Sequence, residues 1–307
     1  MSIFRALLLT TLVASAVNLL LADNLDQTKI VVLSDQQYGP TNDLAGRCDV
    51  YLPAAAPPAS GQPVVIVVPG GAWISGDKSQ VQRYARALAH NGCVAIAINY
   101  ALAPEHQFPA QVDSLRTAML WTKQNARQFN IDIDRLGLFG YSAGGHLVTL
   151  VAALADEQIE VRADTSRWAK QDRRWQQLPK VCAVCAGAPP TDFRQVELDN
   201  PAYKFFLGDT RRANPDTYVV ASPATHISAA DPVTLIFHGD LDVVVPYSGS
   251  EEFHRAQRTA GIDSRLHVMH NQGHVTTFFN ERSIDKAVEF FHEKFGASLT
   301  GTTSKYR

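Results

Sequence analysis

Leu136-Gly-Leu-Phe-Gly-Tyr-Ser-Ala-Gly-Gly-His146 is the stretch from which the rest of the chain is best read. It passes from a short apolar strand through an abrupt turn into a helix, and Ser142 stands at the turn. Glycines two residues to either side, Gly140 and Gly144, make the pattern G-x-S-x-G. The spacing has a steric reason: a serine displayed on so sharp a turn must take a strained backbone conformation, and side chains at those two positions would crowd it. The helix that follows, Ala143 to Ala155, is apolar enough to pack against a sheet. Its N-terminal N–H groups and positive dipole end face the place where a substrate oxygen would gain charge.

Working outward, the neighbouring strands set the fold class. Pro63-Val-Val-Ile-Val-Val-Pro69 and Cys93-Val-Ala-Ile-Ala-Ile-Asn99 are unbroken β-branched and apolar runs without alternation, as parallel strands covered on both faces require. Helical segments over 80–91 and 113–125 separate them from each other and from the Ser142 strand. Strand, helix, strand, helix, strand, helix predicts an α/β fold with a mostly parallel central sheet and helices on both faces. Ligands of such sheets bind at the carboxyl ends of the strands. Before this core, 29–34 and 47–52 read as an opening hairpin, and 53–63 as a Pro- and Ala-rich loop.

The 307 residues, 46% hydrophobic and 19% charged, suffice for one large core. A net charge of -2 and scattered Lys and Arg give no basic field, so no nucleic-acid partner is expected. Arg5 followed by a stretch from Ala6 to Ala22 that carries no charge matches a secretory signal peptide over 1–22, with an uncleaved membrane anchor as the alternative. Cleavage implies a secreted or periplasmic protein without stable membrane insertion. The catalytic domain is then expected over 23–297, with a polar C-terminal tail over 298–307. Cys48, Cys93, Cys182 and Cys185 are assigned no pairing; Cys182-Ala-Val-Cys185 sits in a strand pattern, where positions three apart point to opposite faces. Trp168 and Trp175, seven apart, are expected to anchor a surface helix to the core.

The first central strand empties into Gly70-Gly-Ala-Trp-Ile-Ser-Gly-Asp-Lys78, where consecutive glycines let backbone N–H groups approach a ligand, as an oxyanion hole requires. This segment resembles the His-Gly-Gly-Gly-Trp-x-x-Gly-Asp-Lys loop of α/β-hydrolase carboxylesterases, in the branch related to feruloyl and acetyl-polysaccharide esterases and to hormone-sensitive lipase. Tyr100-Ala-Leu-Ala-Pro-Glu-His-Gln-Phe-Pro109 is similar to a further segment of the same enzymes, with Ala101 in place of Arg. The resemblance implies the α/β-hydrolase fold with a small cap segment. It also implies that Gly71 and Ala72 donate backbone N–H groups, joined by Ala143 after the nucleophile. Pro69 stands in place of the His and Ala72 in place of the third Gly. An Ala still donates; Pro69 supplies no side-chain bonds, so this departure bears on the rigidity of the loop.

Val233-Thr-Leu-Ile-Phe-His-Gly-Asp-Leu-Asp-Val-Val-Val-Pro246 is a strand ending in an acidic loop, where Asp240 and Asp242 compete to orient a histidine. It resembles the family's His-Gly-x-x-Asp-x-x-Val-Pro, and that match selects Asp242. The last strand, 264–270, leads to Gly273-His274, which resembles the loop of the catalytic histidine. His267, His270 and His274 carry no ligand spacing that favours a metal, and none is expected. The segment 188–231 lacks strand pattern and carries Phe193, Tyr203, Phe205, Phe206 and Tyr218; acyl or aryl specificity is expected there.

Ser142, Asp242 and His274 thus occur in the order nucleophile, acid, base. The implied activity is serine carboxylic-ester hydrolysis through an acyl-enzyme, with no cofactor. The implied substrates are short-chain, acetyl or aryl esters, either small molecules or acetylated or feruloylated polysaccharide. An amidase or peptidase using the same triad, and a non-catalytic binding module on this scaffold, are the alternatives.

Overall fold

The computed structural model describes residues 30–39 and 44–296. The expected signal peptide over 1–22, the tail over 298–307 and residues 40–43 of the first turn lie outside the described residues. Eight strands form one sheet: Val31–Gln37 (β1), Arg47–Leu52 (β2), Gln62–Val68 (β3), Val94–Ile98 (β4), Ile131–Tyr141 (β5), Ala183–Gly187 (β6), Val233–Gly239 (β7) and Ser264–Met269 (β8). Their spatial order is β1-β2-β4-β3-β5-β6-β7-β8. β1 pairs antiparallel with β2, and β2 antiparallel with β4; every other neighbour is parallel.

The unalternating strands are buried on both faces. Val64, Ile66 and Val68 pack with Val112, Leu115 and Leu147 on one side of the sheet. Val65 and Val67, one residue out of phase, pack with Tyr84, Leu88 and Phe291 on the other. The period of two along β3 therefore feeds two separate apolar layers. Among the described residues, ten helices surround the sheet: Gln82–His90 (α1), Ala110–Gln124 (α2), Ala143–Ala153 (α3), Ile159–Asp164 (α4), Arg174–Gln177 (α5), Pro201–Leu207 (α6), Pro215–Val220 (α7), Tyr247–Thr259 (α8), His274–Phe279 (α9) and Glu281–Phe295 (α10). Among them α2 and α3 cover the first layer, α1 and α10 the second. This is the α/β-hydrolase arrangement that the strand pattern and the resemblance predict.

Trp168 and Trp175 differ from expectation, for they do not share a helix. Trp175 lies on the four-residue α5 and Trp168 in the loop before it, with ring centroids 5.0 Å apart. Arg174 stacks over Trp168 at 4.1 Å, and Arg116 and Arg162 over Trp175 at 4.9 Å each. Cation–π stacking from arginines on α2, α4 and α5, which sequence spacing does not encode, takes the place of a helical stripe. The described cysteines are free, and Cys182 precedes β6 while Cys185 lies buried within it.

Candidate active site

β3 and β5 pair in parallel with Val67 opposite Phe139 and Val68 opposite Gly140, so the two glycine-rich loops leave the sheet side by side. Ser142 has φ 54° and ψ −119°, in the left-handed half of backbone space. For a residue with a Cβ this costs on the order of 1–3 kcal/mol, and the surroundings must hold it there. Ser142 N donates to Gly187 O at 2.8 Å, and His146 N to Ser142 O at 2.9 Å. A Cβ on Gly140 would lie 2.2 Å from Gly144 O, and one on Gly144 2.2 Å from Val68 O. The two glycines of the motif are thus pressed against each other and against the end of β3, which is the crowding that the spacing implies.

The loop after β3 is also held under constraint. Gly71, at φ 116°, has no room for a side chain: a Cβ would meet Ser75 O at 2.1 Å. Gly71 O accepts from Ile74 N at 3.1 Å, Ser75 N at 3.0 Å and Ser75 Oγ at 3.1 Å. Ala72 and Trp73 follow at φ 52° and 64°. Among the described residues, the backbone N–H groups of Gly71, Ala72 and Ala143 find no acceptor within the chain. They are free to serve a ligand oxygen.

The structure answers the question raised by Pro69. Trp73 Nε1 donates to Nδ1 of His146 at 3.1 Å, and His146 Nε2 donates to Ala221 O at 2.8 Å, which fixes the imidazole as the neutral Nε2–H tautomer. Burial, partly opposed by the bond to Ala221, lowers the His146 pKa to about 4. The Trp73 ring stacks on Phe206 at 4.3 Å and meets Phe193 edge-on at 5.7 Å. Ala103 N donates to Trp73 O at 2.9 Å. Beyond the loop, Lys78 bridges Asp49 at 2.8 Å and Asp35 at 3.1 Å, and Lys78 N donates to Asn99 Oδ1 at 2.8 Å. The loop is therefore clamped from helix α3 and from the β1–β2 hairpin rather than by residue 69.

At the end of β7 the two candidate acids part company. Asp242 is buried, with Oδ2 2.6 Å from His274 Nδ1 and 3.1 Å from His238 Nε2. Its Oδ1 accepts from Val244 N and Val245 N, both at 2.9 Å. Burial would raise its pKa, but the bonds from His238, His274 and Val245 outweigh that and hold it below the usual carboxylate range. Asp240 instead pairs with His270 Nδ1 at 2.9 Å and accepts from Asn271 N at 2.7 Å on the surface. The three histidines considered for a metal thus diverge, His270 to Asp240 and His274 to Asp242, while His267 sits on β8. Tyr141 OH donates to His274 O at 2.5 Å, so the strand that carries Ser142 is tied to the loop that carries His274.

Ser142 and His274 line one cavity of about 660 Å³. Gly70, Gly71, Ala72 and Ile74 form one side of it, and Val275, Phe278 and Phe279 of α9 the other. The segment 188–231, expected to supply acyl or aryl specificity, contributes no residue to this lining. Phe193, Phe206 and Tyr218 are buried in the core layer that holds Trp73 and His146. Their aromatic density marks support for the loop, not a substrate wall. A second cleft of about 540 Å³, beside Tyr38, His106, Asp113 and Trp168, contains none of the expected site residues.

Four residues central to this geometry have no role in the sequence reading: Trp73, Tyr141, His146 and His238. Trp73 and His146 stand inside the two motifs and could have been found there. His238 precedes Asp242 by four residues within the His-Gly-x-x-Asp match.

A family model described as BD-FAE matches residues 48–256. Among curated relatives, the probable carboxylic ester hydrolase LipM of Mycobacterium tuberculosis is 30% identical over 224 residues, 72% of this chain and 50% of its own length. Esterase LipQ of the same organism is 28% identical over 233 residues, 74% of this chain and 53% of its own. The chain thus spans about half the length of these relatives. Among solved structures, a truncated carbohydrate esterase from gut microbiota superposes with a TM-score of 0.76 at 22% identity, covering 88% of this chain and 98% of that one. Propionate-bound esterase 2 of Thermogutta terrifontis gives 0.69 at 21%, covering 91% and 98%. At these identities the structural likeness speaks for the fold.

Proposed function

The chain belongs to the BD-FAE family, with carboxylic ester hydrolases among its relatives, and from that premise we propose that it is a serine carboxylic-ester hydrolase acting on short-chain or aryl esters. The observation that carries the reading is the 2.6 Å contact of buried Asp242 with His274 Nδ1, in a cavity that His274 shares with Ser142. A serine hydroxyl is a poor nucleophile at neutral pH unless a neighbouring base takes its proton. His274 Nε2 is the base: its other nitrogen is engaged by Asp242, which fixes the tautomer and stabilises the imidazolium.

Ser142 Oγ attacks the ester carbonyl while its proton passes to His274. The carbonyl oxygen becomes negative and is bound by the N–H groups of Gly71, Ala72 and Ala143, where the loss of one donor costs about 3 kcal/mol. His274 then gives the proton to the leaving alcohol, and the C–O bond breaks to leave an acyl-enzyme. Water, deprotonated by His274, releases the acid. No step calls for a cofactor. Esters carried on acetylated or feruloylated polysaccharide belong to the same chemistry, as the motif resemblance implies. Residues 1–22 are proposed as an export signal, which N-terminal analysis of the mature protein tests.

Hydrolysis of p-nitrophenyl esters from acetate to octanoate tests the activity. Ser142→Ala is expected to lose at least about 10³-fold in kcat, with the fold intact by circular dichroism. Turnover that survives in this variant overturns Ser142 as the nucleophile. Turnover of amides alone moves the activity to an amidase, and none of either to a binding module.

A further inference from the structure

Of the ten large hydrophobic side chains that stand exposed among the described residues, Ile74, Val244, Val275 and Phe279 line the Ser142 cavity, and two more, Leu241 and Val243, adjoin them in the Asp242 loop. Val243 is 94% exposed, and the others range from 46% for Ile74 to 65% for Val244. They come from three separate segments: the loop after β3, the Asp242 loop and the short helix α9. Ile74, Val244, Val275 and Phe279 line the cavity itself. Leu241 is joined to the His274 loop through Leu241 N to Gln272 O at 3.0 Å, and Val243 stands between Asp242 and Val244. Folding gives no reason for a valine so exposed, since a polar side chain there would lose no packing. Apolar groups from three segments around one opening mark a contact surface.

We infer that this rim seats the enzyme on a lipid-like phase, so that it draws its ester from a micelle, droplet or bilayer surface. The inference rests on the ester-hydrolase reading above. Its occupant follows from position. A protein partner or a second copy on this rim would stopper the cavity through which substrate reaches Ser142, whereas a phase that contains the substrate delivers it. A polysaccharide surface presents hydroxyls that need hydrogen-bond partners; Ser75, Gln80 and Arg83 of the cavity lining could meet them inside, but the six side chains of the rim offer none. Among the described residues no helix is long and apolar enough to cross a membrane. Side chains of this kind seated at an acyl boundary bind by their buried apolar area.

The test uses the full chain and the variants Leu241→Ser and Val243→Ser, neither of which lines the cavity. Ser142→Ala protein, with and without these two changes, is floated with phosphatidylcholine vesicles. Each substitution is expected to weaken association by about tenfold, the equivalent of one buried aliphatic side chain. The apolar N-terminal stretch is common to all the proteins, so the difference reports the rim. In active protein, tributyrin hydrolysis is expected to step up where the ester exceeds its solubility. The step is lost in the double variant, while kcat/KM on dissolved p-nitrophenyl acetate is unchanged. Saturation without a step, or equal flotation of all variants, overturns the inference. So does a selective loss on acetylated xylan, which would assign the rim to polysaccharide, or a dimer that the substitutions dissociate. Flotation reads the rim without catalysis: failure to hydrolyse any ester, with flotation as expected, would count against the activity alone.

Discussion

The two halves of the site are held by different physics. On the Ser142 side the constraint is steric and neutral. Left-handed backbone at Ser142, Ala72 and Trp73 is trapped by glycines without room for a Cβ and by a buried, uncharged Trp73–His146–Ala221 chain. On the Asp242 side the constraint is electrostatic: one buried carboxylate collects His274, His238 and two backbone N–H groups. Such a division suits the chemistry. The donors that meet a developing oxyanion must already be in place and must not themselves titrate, whereas the acid–base pair must carry a charge that changes during turnover.

The sharpest way to break this comparison is to neutralise each candidate acid in turn. Asp242→Asn keeps the shape of the side chain but removes the charge and favours the wrong imidazole tautomer, so kcat is expected to fall by about 10⁴-fold. Asp240→Asn removes only a surface pair with His270, and kcat is expected to stay within about twofold. Steady-state kinetics on p-nitrophenyl acetate distinguishes them. Equal losses would mean that the buried carboxylate is not what orients His274.

The neutral half makes its own prediction about acid. His146, with a pKa lowered to about 4 by burial, stays uncharged in the folded protein where an unfolded histidine titrates near 6.5. As pH falls from about 6.5 towards 4, the unfolded chain takes up a proton that the folded one refuses. Stability therefore drops by up to about 1.4 kcal/mol per pH unit, on the order of 3 kcal/mol in all, and is fully present above pH 6.5. Asp242 has the same sign in a lower window: its contribution holds above the ordinary carboxylate value near 3.9 and is lost only as pH falls lower through its depressed folded value. The two halves fail in separate windows. Thermal melts from pH 8 to 4 should show a flatter slope in His146→Gln than in the parent; parallel curves would remove His146 as the source.

Legibility in the sequence follows the same division. Unalternating strands such as 64–68, and glycines forced by close approach at 140 and 144, report on local backbone and so can be read directly. Asp242 was separable from Asp240 only by motif match, because both lie at the end of one strand and their difference is a matter of burial. The Trp73–His146 bond joins residues 73 apart, and no periodicity encodes such a contact. The aromatics of 188–231 misled for a related reason: composition shows that Phe193 and Phe206 will be buried, not against what. They cover Trp73, and the cavity wall comes instead from α9, directly after His274.

The smallest expected effect probes the clamp itself. Trp73→Phe keeps the stack on Phe206 and removes the indole N–H, leaving His146 Nδ1 buried without a donor. An unpaired buried acceptor costs about 1–3 kcal/mol of stability. If the clamp serves only folding, kcat at a temperature far below the melt is unchanged. If it holds Gly71 and Ala72 towards the oxyanion, kcat falls by about tenfold while KM stays near the parent value, because a donor displaced by a fraction of an ångström weakens the transition state more than the ground state. His146→Gln should then reproduce the same kcat loss, since both changes sever one bond, and the double variant should add little to either. Additive losses would show that Trp73 and His146 act on the loop separately, and would reduce the Ser142 half of the site to its backbone strain alone.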